Sequence, residues 1–291
     1  MVRKRSPLDT LCQILLWILM GLLVIVVAYP FLYVFNAAIT PESYAFGKLL
    51  ILPIKPSLKS YEVLLTASEI GRPFFISVAR SLIGGGGMLI VSGMAAFALS
   101  TPDLMGGRFF RTAFVLTMYL GAGLIPSYIF TVKYKLINSF WVYILPGLCS
   151  TYNIILIRTY IESVSRSLVE AVYVDGGSDL QAYWKVVFPV CKPVNAAIFL
   201  FGVLGQWNAM VDTKLYAPMK REIHTLQYTL YNIVNSNTDI TKLKAGIIDK
   251  DFVGNPIKMA VTVLTIVPIM FVYPSLQKHF ASGIMIGSIK A

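Results

Sequence analysis

Six apolar stretches, at roughly 11–39, 74–99, 110–130, 141–157, 190–211 and 259–276, punctuate this 291-residue chain. Each is long enough, or nearly so, for the ~20 residues that carry a helix across a bilayer. The fourth and sixth are the shortest. Unpaired backbone groups are not tolerated in lipid, and the alternating ten-residue patterns of barrel strands are missing, so the stretches predict helices. Only 13% of residues are charged and 56% are hydrophobic, against about 25% and 45–50% in soluble domains. Too little polar surface remains to coat a water-soluble enzyme of this size. The expectation is one all-α membrane domain over residues 1–291.

The net charge of +11 comes from 25 Lys and Arg against 14 Asp and Glu. These basic residues are scattered among the loops and form no stripe interleaved with aromatics, which argues against nucleic acid as a partner. They are shared almost equally between alternate loops, so the positive-inside bias alone does not orient the chain. Arg3-Lys4-Arg5 precedes an apolar run about twice as long as the 7–15-residue core of a signal peptide. An uncleaved first span with its basic end in the cytoplasm is expected. Cys12, Cys149 and Cys191 lie far apart, with no His at ligand spacing, so neither a disulfide framework nor a metal site is expected. HExxH, GxSxG and Cys/His nucleophile pairs are missing, and no catalytic residue is assigned.

The run Gly84-Gly85-Gly86-Gly87 continues into Met88-Leu89-Ile90 inside a span. A phosphate-cradling loop would end in Gly-Lys-Ser/Thr. With Ser92, Gly93, Ala95, Ala96 and Ala98 the run reads instead as a small-residue face for close helix packing, or as a flexible point. The chain is not expected to bind ATP.

The segment 165–189 is the most informative. Ser167 and Glu170 stand at capping-box spacing, as do Ser178 and Gln181. Gly176-Gly177 lies between them, where a helix C-terminus favours positive φ. Two short helices with an elbow at 175–178 are predicted. Leu168, Ala171 and Val172 share one face of the first helix, and Leu180, Tyr183, Trp184 and Val187 one face of the second. Either face could pack on the chain's own spans or on a partner.

Glu170-Ala171-Val172, then Gly176, then Val186-x-Phe188-Pro189 resembles the EAA---G---------I-LP loop of ABC-importer permeases, at matching spacing throughout. The departures, Val172, Val186 and Phe188, are all apolar. Ala95-Ala96-Phe97-Ala98-Leu99-Ser100, Gly205-Gln206-Trp207-Asn208 and the tail Gly283-Ile284-Met285-Ile286-Gly287-Ser288-Ile289-Lys290 resemble the MalG-like carbohydrate subfamily, in particular its complex-oligosaccharide members.

This resemblance implies a type I ABC importer permease of six transmembrane helices, multi-pass in the bacterial cytoplasmic (inner) membrane, with both termini cytoplasmic. It implies a second homologous permease subunit, two ATPase subunits that hold ATP and Mg, an extracytoplasmic solute-binding protein and an oligosaccharide substrate. No cofactor on this chain is implied. Carried onto this sequence, Glu170, Ala171, Asp175, Gly176 and Gly177 would lie at the ATPase contact in a cytoplasmic coupling loop. Glu170 would either cap its own helix or pair with a basic residue of the ATPase. The loop 213–257 would be extracytoplasmic and would meet the binding protein, or stand as an ordinary solvated loop. Asn153, Gln206, Trp207, Asn208 and Asp212 would line the substrate path, or join helices through hydrogen bonds. Arg80, inside the second span, is read as snorkelling outwards rather than attracting an acidic sugar. Competing readings are a permease for amino acids or peptides and, from other classes, a stand-alone channel or an intramembrane enzyme.

Overall fold

The computed structural model describes residues 7–45, 47, 49–67, 70–235 and 254–283, with side chains to residue 272. Among them there is no β-strand. Leaving aside the single turns Glu42–Ala45 and Phe188–Val190, the helices in chain order are α1 (Pro7–Ala38), α2 (Lys59–Ala67), α3 (Gly71–Ser100), α4 (Gly107–Tyr119), α5 (Leu124–Lys133), α6 (Thr151–Ser163), α7 (Ser167–Val174), α8 (Asp179–Ala182), α9 (Lys192–Asn208), α10 (Val211–Tyr216), α11 (Leu226–Asn235) and α12 (Asn255–Gly283). Helices α1, α3 and α12 are each long and apolar enough to cross a membrane, and the described residues offer up to six spans if each bent pair counts as one.

The bends are where helix structure departs from hydropathy. The apolar stretch 110–130 is two helices, α4 and α5, which meet at 115° across Leu120-Gly121-Ala122-Gly123. Two glycines in four residues remove the propensity that would carry a helix through the link. The stretch 141–157 starts as two 3₁₀ turns, Phe140–Tyr143 and Leu145–Gly147, and bends 46° into α6. Pro146 lacks the N–H a continuous helix would need there. Ser150 then accepts a weak 3.5 Å hydrogen bond from the Asn153 N–H and restarts the helix.

The described residues group into two compact units. The first comprises those within Met1–Glu69 and Ile233–Ile266. Most of α1 is exposed on every face, with a mean hydropathy of 2.8 in its most apolar window. Its C-terminal end is tied to the following chain by Asn36, whose Nδ2 donates to Ile51 O at 2.8 Å. Glu42 accepts from Asn255 Nδ2 at 2.9 Å, which fixes the start of α12.

The second unit, Ile70–Asn232 with residues from Val267 on, is built around α3. Its core joins Leu89, Ala96 and Leu99 of α3 to Ile154 and Ile157 of α6 and to Val194 and Ile198 of α9. Within the glycine run, a Cβ on Gly85 would lie 2.9 Å from Val203 N, and one on Gly202 would lie 2.8 Å from Gly85 Cα. Here α3 and α9 touch backbone to backbone, the close packing that small residues permit. At the far end of α3, Arg111 Nε donates to Leu99 O at 3.0 Å and its Nη2 to Thr101 O at 2.9 Å. A cation thus satisfies carbonyls at the negative end of the helix.

Candidate functional site

The segment 165–189 folds as two short helices around a tight elbow. After α7 the Gly176 N–H donates to Tyr173 O at 3.0 Å and the Gly177 N–H to Val172 O at 2.8 Å. These paired bonds are a Schellman ending, and they require Gly176 at φ +77°, a conformation that costs an L side chain roughly 1–2 kcal/mol. Ser178 then opens α8 with a capping box, its N–H donating to Gln181 Oε1 at 3.1 Å. Tyr173 Oη donates to Asp179 Oδ1 at 2.9 Å and fastens one helix to the other. Burial, then this hydrogen bond, raises the Tyr173 hydroxyl above its ordinary pKa.

The second expected capping box does not form. The chain is already helical at Arg166, so Ser167 lies inside α7, and its hydroxyl pairs with that of Ser165 at 2.7 Å. The Glu170 side chain is therefore left without a capping role and is exposed.

The second short helix, α8, continues into a π-turn, Tyr183–Val187, and the axis then swings 86° into α9. Tyr183 and Val187 are buried in the α3–α6–α9 core. Of the expected apolar face, Leu180 and Trp184 stay exposed, as does Leu168 on α7. Glu170, Ala171, Asp175 and Gly176 all face solvent, and Val174 is 86% exposed. The element is thus anchored on one side and bare on the other. A cavity of about 520 Å³ opens beneath it, with Phe97, Thr101, Glu162, Val169, Tyr173 and Cys191 among its lining.

At the other end of the bundle, two polar residues in or beside the fifth apolar stretch, Gln206 and Asp212, have a shared partner. Arg80 is 1% exposed, so it does not snorkel. Its Nε and Nη2 donate to Gln206 Oε1 at 2.9 and 2.7 Å. Its Nη1 donates to Asp212 Oδ1 at 3.3 Å, and Nη2 pairs with Asp212 Oδ2. The guanidinium also lies 4.4 Å from the centroid of the Tyr143 ring, a cation–π contact. Gln206 Nε2 donates to Tyr143 O at 2.9 Å. An apolar environment offers Arg80 no water, so Gln206, Asp212 and the Tyr143 ring replace its hydration. Gln206 and Asp212 therefore belong to this cluster. Trp207 is buried edge-on against Phe74, with ring centroids 6.0 Å apart. Asn153 is buried beside Met88 Sδ at 3.2 Å, and Asn208 is exposed at the end of α9.

Tyr143 and the Arg80–Asp212 pairing were not singled out from sequence. The available signal was the one Arg of the second apolar stretch and an Asp at the end of the fifth, opposite in charge.

The first part of the loop 213–257 is folded. Helix α10, the 3₁₀ turn Arg221–Ile223 and α11 form a cap over the start of α3. Leu226 N donates to Ser77 Oγ at 2.8 Å, and Tyr143 Oη donates to Ile223 O at 3.0 Å. Arg72 Nε donates to Glu222 O at 3.0 Å. Residues 236–253, the remainder expected to reach a binding protein, lie outside the described residues, as does the tail from 284.

Residues 2–286 match the family described as binding-protein-dependent transport system inner membrane component. The chain belongs to this family. It is an integral inner-membrane permease subunit, and its fold is that of type I ABC importer permeases. Transport rather than bond chemistry is what members of this family do. Among its relatives, the polygalacturonan/rhamnogalacturonan transport system permease protein YtcP of Bacillus subtilis is 31% identical over 266 residues, covering 90% of this chain and 92% of that one. The galactooligosaccharides transport system permease protein GanQ of the same organism is 25% identical, covering 94% of each. A crystal structure of a bacterial ABC transporter involved in the import of the acidic polysaccharide alginate contains a chain that superposes with a TM-score of 0.89 at 28% identity, covering 96% of this chain and 100% of that one.

Proposed function

We propose that this permease subunit imports oligosaccharides, and that its substrates carry uronic acids. Support comes from the relatives, whose names refer to polygalacturonan and rhamnogalacturonan, galactooligosaccharides and alginate. Polygalacturonan and alginate are acidic polymers, and the chain itself carries a net charge of +11. A second permease, two ATPase subunits that hold ATP and Mg²⁺, and an extracytoplasmic binding protein complete the transporter. Both termini face the cytoplasm in this reading, 165–189 meets the ATPase, and 213–257 lies outside.

The observation that carries the mechanism is the bare side of the 165–189 element. Glu170 and Ala171 on α7 and Asp175, Gly176 and Gly177 in the following turn form an elbow stiffened by its own caps, on a stalk whose Tyr183 and Val187 are sunk in the core. A partner that grips this turn moves α3, α6 and α9 with it. ATP closes the ATPase dimer and shifts the turn, the helices rock to open outwards, and the binding protein releases sugar into the path. Substrate drives this cycle only through its different affinities for the two states. Of the expected path residues, Asn208 keeps an exposed amide for a sugar hydroxyl, whereas Gln206 and Asp212 are spent on Arg80.

The test is ATP hydrolysis by the reconstituted transporter with its binding protein, across oligogalacturonates, oligoalginates, maltotriose and amino acids. Stimulation by the uronate oligomers is expected. A response confined to maltotriose overturns the acidic assignment, and one confined to amino acids overturns the sugar reading.

A further inference from the structure

Arg80 grips three successive pieces of one chain segment. Gln206 belongs to the last turn of α9, Ala209 to the non-helical link that ends it, and Asp212 to the first turn of α10. Ala209 O accepts from Arg80 Nη1 at 3.4 Å. The link at 209–210 is where the cap 211–232 would swing relative to α9 if nothing bridged it. The guanidinium bridges it from α3.

A second path closes the same joint. Tyr143 holds Gln206 through its carbonyl, lies under Arg80 with its ring, and reaches Ile223 in the cap with its hydroxyl. One turn before Arg80 on α3, Ser77 Oγ holds the start of α11. The Arg72–Glu222 pair on the same helix is more than half exposed on both sides, and such pairs contribute little. The buried cluster is therefore what stiffens the joint.

An ionised side chain inside an apolar span is unfavourable, and such residues mark function by default. Packing alone would be served by an apolar pair of similar volume, which is often neutral or stabilising in place of a buried ion pair. What an apolar pair does not supply is direction. The planar fork fixes the angle between α3, α9 and α10, and a lysine, which is a point charge, does not.

We propose that Arg80 is a positioning residue for transport: it makes the cap 211–232 and helices α3 and α9 move as one body, so that a protein docking on the cap acts directly on the transport helices. This rests on the reading that the cap faces the binding protein.

The experiment compares the reconstituted transporter carrying Arg80→Lys, or Arg80→Met with Asp212→Leu, with the unaltered one. Three quantities are read: ATP hydrolysis without binding protein, its stimulation across a titration of the loaded binding protein, and the thermal midpoint. In parallel, spin labels at Met219→Cys on the cap and Met105→Cys beyond α3 report a distance distribution, with Cys12, Cys149 and Cys191 replaced. In Arg80→Lys, unstimulated hydrolysis stays the same. Its stimulation falls by about two- to thirtyfold, the range found for residues that carry coupling between sites, and the distance distribution broadens. The thermal midpoint of Arg80→Lys falls, and in the double variant it returns while stimulation does not.

Normal stimulation with an unbroadened distance in Arg80→Lys overturns the proposal. So does a double variant that recovers stimulation together with its midpoint, since the pair would then be packing only. If Arg80→Lys fails to assemble, the double variant decides. A transporter that no loaded binding protein stimulates counts against the proposed function instead, and the spin-label distance still tests the joint.

Discussion

Neighbouring glycines in one helix should respond to the same substitution with opposite signs. A Cβ at Gly85 would stand 2.9 Å from both Val203 N and Val203 Cγ2, and 3.3 Å from the Gly202 carbonyl carbon. Two of those three atoms are backbone of α9, so a rotamer change cannot make room. At Gly86 a Cβ meets nothing within 4 Å. Both sites gain about 0.8–1.0 kcal/mol of helix propensity on going from Gly to Ala. At Gly85 the overpacking cost of typically 1–3 kcal/mol is set against that gain. Gly85→Ala should therefore range from neutral to about 2 kcal/mol destabilised, and Gly86→Ala should be stabilised by up to about 1 kcal/mol. The difference between the variants is about 1–3 kcal/mol, which at 1.4 kcal/mol per factor of ten is roughly five- to 150-fold in the unfolding equilibrium. Reversible unfolding of the purified chain in mixed micelles, followed by far-ultraviolet circular dichroism, measures it. Gly85→Leu should be worse than Gly85→Ala by a further margin, because the added atoms point at the same backbone. Equal stabilities for Gly85→Ala and Gly86→Ala would refute the backbone contact between α3 and α9.

Three further outcomes follow from the same geometry. Gly176→Val forces a β-branched residue to φ +77° and should loosen the elbow by at least the roughly 1–2 kcal/mol of a left-handed residue, lowering the amount of ATPase that copurifies; undiminished copurification sinks the coupling role. Ser178→Ala removes one half of the α8 capping box and should cost about 0.5–2 kcal/mol locally, read as faster hydrogen exchange across 179–187 with 192–208 unaffected. Tyr143→Phe deletes the bond to Ile223 O and leaves a buried carbonyl unpaired, at about 1–3 kcal/mol, so a protease should cut 217–225 sooner; an unchanged cleavage rate would mean that the cap is held elsewhere.

Legibility in the sequence tracked how local each interaction is. The elbow at 175–178 was readable because every device in it acts within six residues of its partner. The Ser167/Glu170 spacing shows the limit of such signals. It is the same pattern, yet the helix begins before it, since a capping pair nominates a start without forbidding an earlier one. Hydropathy found apolar stretches but could not see that 110–130 turns through 115°, because apolar content measures solvent preference and carries no direction. The Arg80 cluster was least readable, because it joins residues 126 to 132 positions apart. Gln206 and Asp212 stood out as polar groups beside a span, but only the fold identifies a buried cation as the reason for both.

The two ends of the α3 unit use polar side chains in opposite ways, and this asymmetry bears on how a permease works. At the end bearing 165–189, Glu170 and Asp175 remain at the surface while Val187 and the ring of Tyr183, buried in the core, hold the element down. At the end bearing 211–232, Asp212, Gln206, Tyr143 and Ser77 are turned inward and bonded to one another or to backbone. A surface that must be gripped by a partner needs its polar groups unspent, since hydrogen bonds already made inside would have to be broken first. A platform that must pass on a displacement needs them spent, since each internal bond removes a direction in which it could yield. Under the proposed docking of the ATPase on 165–189 and of the binding protein on the cap, the bundle would meet both demands through where its hydrogen bonds are satisfied, with the glycine contact between α3 and α9 joining the two ends through one closely packed pair of helices.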